Sequence, residues 1–148
     1  MQKLLIGPAG PLLVRLMNRR ALKRNMHAIF GDRTPPRPDE LDNFWALIEH
    51  NGGRLVMHRL LQYINDRILH RERWVGALQK AQHKTGLING SADPVSGAHM
   101  VTRYRQLVGD TAIVELPAIG HYPQLESPDE VLKHVLRIFA SMDDKDTA

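Results

Sequence analysis

The sequence predicts an α/β fold in which a helical stretch precedes a short strand–helix–strand–helix run, and three observations lead there. Through about residue 80 the apolar residues recur at helical spacing; "GLING" and "TAIVEL" are short apolar runs of strand length; and each of these runs is followed by a helix-spaced segment. Two strands joined through a helix pair in parallel with a right-handed crossover, which gives a sheet with helices packed on it.

Residues 1–30 read as one or two short helices interrupted by Gly7, Pro8, Gly10 and Pro11, and "GDRTPPRP" is a loop whose three prolines stop helix and sheet alike. A helix starts near Pro38, with Leu41, Phe44, Trp45 and Ile48 on one face, and "HNGG" ends it with residues that accept left-handed backbone. Val56, Leu60, Tyr63, Ile64 and Arg67 continue the helical pattern, and "RERWVGALQKA" adds another helix around Trp74 and Leu78. After "HKT" the pattern changes to the strand "GLING", the helix "AHMVTRYRQLV" and the strand "TAIVEL". In the last helix Ser127 is the expected N-cap, Pro128 the first helical residue and Glu130 the capping-box acid. Leu132, Val135, Leu136 and Phe139 form the face that this helix would bury. The tail 143–148 is expected to be disordered. The boundaries are thus a helical region 1–80, an α/β region 81–142 and the tail.

Composition narrows the function classes. With 148 residues and 43% hydrophobic content the chain can bury a moderate core. It has no cysteine, which excludes disulfide scaffolds, thiol nucleophiles and cysteine zinc sites and makes the cytoplasm the expected setting. No apolar run reaches the roughly 18 residues of a membrane span. Charge is uneven: 14 Lys and Arg stand against 7 Asp and Glu in residues 1–80, and 6 against 9 in residues 81–148. The excess centres on Arg15, Arg19, Arg20, Lys23 and Arg24. No aromatic side chain interleaves them, so a single-strand nucleic-acid platform is not expected and a solvated helix face is. HExxH, GxxxxGK[ST] and GxGxxG patterns are lacking, so neither metal nor nucleotide cofactor is expected.

Functional side chains in parallel sheets gather beyond the carboxyl ends of strands. The first strand runs out into "GSADPVSG" and Asp93, the second through Pro117 and Gly120 into His121. Adjacent strands bring these loops together, so a carboxylate oxygen should lie within about 2.6–3.2 Å of the imidazole. A neutral imidazole takes a proton from a nucleophile, and a carboxylate on its other nitrogen fixes the tautomer and stabilises the imidazolium. A GxSxG elbow is lacking; Ser91 and Ser96 flank Asp93 but follow no strand-to-helix elbow.

"LINGSADPVSG" followed by "GHYPQLESPDEVLKHVLRIF" resembles the C-terminal end of the α/β-hydrolase fold, where the acid follows the penultimate strand and the catalytic histidine the last. Residues 1–80 are similar to the helical cap of the haloalkane dehalogenase and epoxide hydrolase branch. "FGDRTPPRPDELDNFWALIEHNGG", "LLQYINDR", "RERW" and "HYPQLESP" most resemble mesoderm-specific-transcript-like hydrolases. The resemblance implies an incomplete fold: cap plus final βαβα, with Asp93 and His121 as triad members, and a nucleophile, Ser or Asp, upstream of Met1. It implies a small, mainly apolar substrate with an ester or carbon–halogen bond. Epoxide opening is disfavoured because the cap offers the single Tyr63. The chain alone is then expected to be inactive, and its partner to be the missing N-terminal half or a second copy of itself. The rival expectation is a non-catalytic module that binds a partner through the helical region and its basic face.

Overall fold

The computed structural model describes residues 7–81, 84–109 and 111–146, the last four of these as backbone only. The chain divides into two compact units, one comprising Met1–Ala28 and Pro36–Arg71, the other Ile29–Pro35 and Glu72–Ala148.

The first unit is helical. Helix α1 (Gly10–Leu13) opens with a proline in its first turn and runs into a 3-10 turn, Val14–Leu16. Asn18 then caps α2 (Arg19–His27), its side chain accepting the Ala21 amide at 2.9 Å. Helix α3 (Pro38–Glu49) starts where the sequence places it: Pro38 needs no amide partner in the first turn, and the Glu40 carboxylate accepts the Arg37 amide at 2.8 Å. It ends at Glu49, and in the 3-10 turn that follows, His50–Gly52, Asn51 and Gly52 take the left-handed φ angles of 49° and 71° that "HNGG" accommodates. The basic face of α2 is partly neutralised, since Arg19 and Lys23 both pair with Asp42 of α3. Arg54 donates to the carbonyl oxygens of Arg15 and Met17, tying α4 (Gly53–Leu60) to the first turns.

The helical pattern expected from Val56 through Arg67 is broken into two pieces. After α4 the chain turns at Leu61 and Gln62, where amide bonds from Gln62, Ile64 and Asn65 reach back three residues, before α5 (Tyr63–Leu69) begins. Val14, Met26 and Leu41 are buried here, whereas Val56, Leu60 and Tyr63 stay 42%, 62% and 48% exposed. Helix α6 (Arg71–Lys80) follows and, past Arg71, belongs to the second unit.

The second unit carries the sheet. Strands β1 (Gly86–Gly90) and β2 (Ala112–Leu116) pair in parallel, Gly86 opposite Ala112 and Gly90 opposite Leu116, with α7 (Ala98–Val108) between them in sequence. Gly86 abuts Ile138 of the last helix, α9 (Pro128–Asp146), and a side chain there would stand 2.6 Å from the isoleucine. Asn89, an odd number of residues along, donates to the Ser96 carbonyl just ahead of α7 at 2.8 Å. Helices α7 and α9 both pack against β1. Among the described residues the architecture is therefore α/β, mostly helical with a small two-stranded parallel sheet. Val101, Val108, Leu116, Ile119 and Phe30 are its buried apolar residues.

Helix α9 departs from its expected burial. Ser127 meets Glu130, its hydroxyl donating to the carboxylate at 3.1 Å, and the helix runs on to Asp146. Yet Leu132, Leu136 and Phe139 are 56%, 61% and 61% exposed, because two strands are too narrow to cover the whole apolar face. The side chains of the expected disordered tail, 143–148, lie outside the described residues.

Candidate functional site

The carboxyl ends of both strands are locked to each other before any functional side chain is considered. Beyond β1 the Ser91 amide donates to the Leu116 carbonyl and the Ala92 amide to that of Ile119, both at 3.0 Å. Gly90 lies so close to the second loop that a Cβ there would stand 2.0 Å from the Gly120 carbonyl oxygen. The tight turn after Asp93 depends likewise on Gly97, whose missing side chain leaves room for the Asp93 and Ser91 carbonyls.

On this junction Asp93 and His121 meet. The Nδ1 of His121 lies 2.7 Å from Asp93 Oδ2, as the strand-end topology predicts. The Asp93 side chain is 3% exposed and that of His121 33%, so the acid is sunk behind a ring that reaches solvent. Asp93 Oδ1 accepts the Val95 amide at 2.8 Å, and Oδ2 accepts the Ser96 amide at 2.9 Å and its hydroxyl at 2.6 Å. Burial pushes this carboxyl up, but the Ser96 hydroxyl, the Val95 amide and the His121 ring together outweigh it and hold Asp93 below the usual carboxylate range. An ionised carboxylate only accepts, so a neutral His121 ring facing it carries its proton on Nδ1 and keeps a lone pair on Nε2. That is the tautomer a general base requires.

A cavity of about 330 Å³ adjoins the pair, with Asp93, Ser96, Met100, His121, Gln124 and Val131 among its lining residues. Neither serine that flanks Asp93 serves the imidazole. The Ser96 hydroxyl is spent on Asp93, and that of Ser91 points to Glu115 at 3.5 Å.

Two contributors went unrecognised in the sequence. Ser96 is one, as a donor to the acid. The other is Glu126 at the end of the single turn α8 (Pro123–Glu126), whose carboxylate holds the backbone on both sides of His121 and the segment Ile29–Pro35 as well. Phe30 from that segment also stacks near Tyr122, ring centres 5.5 Å apart. Burial pushes the Tyr122 phenol up, with the Asp93 charge adding to the shift. The available signal was a pair of glycines, Gly31 and Gly120, far apart in sequence, with an acid five residues after the histidine.

Comparison with known proteins gives relatives over most of the chain. It is 37% identical over 127 residues to "Putative hydrolase LipZ" of Mycobacterium tuberculosis, a match covering 86% of this chain and 44% of that protein. It is 41% identical over 132 residues to mesoderm-specific transcript protein of Mus musculus and 42% identical to the Homo sapiens homolog, each match covering 86% of this chain and 39% of the relative. No family model and no solved structure matches. The chain is thus a homologue of the mesoderm-specific transcript proteins and of LipZ, a protein named as a hydrolase, and it spans less than half the length of these relatives.

Proposed function

We propose that this chain supplies the acid and the base of an α/β-fold hydrolase, and that the nucleophile and oxyanion donors come from sequence it does not contain. The observation that carries the reading is the 2.7 Å contact between His121 Nδ1 and a buried, ionised Asp93 at neighbouring strand ends. In the proposed reaction Nε2 of His121 takes the proton of a Ser nucleophile, or of the water that resolves an ester formed on an Asp nucleophile. Asp93 holds the ring in place and stabilises the imidazolium. The Asp93 charge is already held by three donors besides the ring, so it stays fixed while the ring turns positive. The substrate class is a small, mainly apolar ester or carbon–halogen compound, with residues 1–80 forming a cap over it and residues 81–142 the end of the hydrolase core. The hydrolase name of one relative supports this reading over a partner-binding module.

The test joins the chain to the N-terminal part of such a relative and measures hydrolysis of short p-nitrophenyl esters and haloalkanes. His121→Ala should lower turnover by about 10²–10⁴-fold, the usual contribution of a positioned base. The chain alone should hydrolyse the esters no faster than its own His121→Ala variant, because the groups that stabilise the transition-state oxyanion are lacking from the pair. Robust turnover by the chain alone, abolished by Ser91→Ala or Ser96→Ala, would overturn the proposal.

A further inference from the structure

We infer that Glu126 is a positioning residue for His121, acting by fastening the backbone on either side of the histidine to the distant segment Ile29–Pro35; the inference rests on the acid–base reading of Asp93 and His121. Three successive amides bracket the imidazole. Gly120 N–H donates to Glu126 Oε2 at 2.8 Å and Tyr122 N–H to Oε1 at 3.0 Å, while the His121 amide donates to the Ile29 carbonyl at 2.8 Å. The segment holding Ile29 is secured by the same carboxylate: Gly31 N–H donates to Oε2 at 2.8 Å and the Thr34 hydroxyl at 2.6 Å. One carboxylate thus takes four donors from two stretches of chain, and the middle amide is fixed by the stretch it secures.

The geometry leaves little slack. At Gly120 a Cβ would stand 2.4 Å from the Ile29 oxygen and 2.5 Å from the Gly31 nitrogen, and at Gly31 it would stand 2.2 Å from the Ala118 oxygen. The two backbones cross at bare glycines, where a side chain at either would drive them apart. A shift of the His121 Cα of even half an ångström there would pull Nδ1 out of line with Asp93, whose own position is set separately by Val95 and Ser96. The acid is therefore fixed by its own loop and the base by Glu126, and the contact between them registers any loosening of the second.

Glu126→Gln tests the role gently. Its amide oxygen can replace Oε2 and keep Gly31, Thr34 and Gly120, but its NH2 group then faces the Tyr122 N–H. Glu126→Ala removes all four acceptor contacts. The readout is the ring signature of His121 in ¹⁵N-histidine-labelled chain, namely the downfield Nδ1–H proton and the tautomer-sensitive nitrogen shifts, together with hydrogen exchange at the Gly31, Gly120 and Tyr122 amides in folded protein. The expected order is wild type, then Glu126→Gln, then Glu126→Ala. The Nδ1–H signal should weaken along the series, and amide protection should fall by about tenfold or more in Glu126→Ala, as the loss of charge-assisted bonds implies. Should Glu126→Ala fail to fold, Glu126→Gln and Thr34→Val, which deletes one donor to the same oxygen, give the answer on a smaller scale. An unchanged His121 signature in the folded Glu126 variants, alongside its loss in Asp93→Ala, would overturn the positioning role and leave the acid–base pair standing. A signature indifferent to Asp93→Ala as well would bring down both.

Discussion

Replacing Asp93 by Asn keeps the shape of the side chain and removes its charge, and the structure says what that costs. The carboxylate receives four donors: the Val95 amide on one oxygen, and the Ser96 amide, the Ser96 hydroxyl and His121 Nδ1 on the other. An asparagine has one acceptor atom to offer. Its less damaging rotamer directs the oxygen to Ser96 and His121 and the NH2 group at the Val95 N–H, which loses one bond outright and reduces three charge-assisted bonds to neutral ones. With charged hydrogen bonds worth about 1.5–3 kcal/mol and neutral ones about 0.5–1.5, and relief from desolvating a charge set against them, Asp93→Asn should cost about 2–4 kcal/mol at pH 7. A chain of this size melts about 2–4 °C lower per kcal/mol.

The pH dependence separates this account from a mere packing defect. Because the folded Asp93 pKa lies below its unfolded value, near 3.9, the stabilisation is complete above that value and is lost as pH falls through the folded pKa. Urea denaturation of both proteins between pH 7 and pH 2.5 should therefore show a constant gap above about pH 5 that narrows in acid, with the variant lacking part of the wild-type slope. A gap of the same size at pH 2.5 as at pH 7 would show that the Asp93 charge is not what the four donors stabilise.

Ser96→Ala removes the 2.6 Å hydroxyl donor, so the Asp93 carboxyl should titrate at higher pH, followed by its ¹³Cγ shift, and the chain should lose about 1–2 kcal/mol; an unmoved titration would mean that this hydroxyl does not hold the acid. Gly90→Ala places a methyl group against the Gly120 carbonyl and should cost about 1–3 kcal/mol or more in denaturant, whereas a wild-type midpoint would mean that the strand ends are not in such close approach. The exposed face of α9 should make the chain self-associate: sedimentation velocity is expected to show species heavier than the monomer that fall away in Leu132→Glu/Leu136→Glu, and a wild-type monomer at high concentration would refute this.

The sequence by itself determined the local structure and the meeting of Asp93 with His121. Proline at the start of α3, Asn51 and Gly52 in the turn just after it, and two short apolar runs with a helix between them are instructions carried within a few residues, and the backbone obeys them with little help from elsewhere. Asp93 and His121 were legible for the same reason, since parallel pairing of consecutive strands brings their following loops to one edge whatever the rest of the chain does. The break at Leu61 and Gln62 was not legible: apolar spacing continues across it, and spacing reports which faces are apolar without reporting whether the helix is continuous. Burial of α9 was likewise beyond periodicity, because Leu132, Leu136 and Phe139 can be covered only by surface that two strands do not provide. The bonds of Glu126 to Gly31 and Thr34 join residues 95 and 92 positions apart, and a contact at that separation has no local pattern. Only the tertiary structure could decide it, by bringing two bare glycine backbones close enough for one carboxylate to reach both.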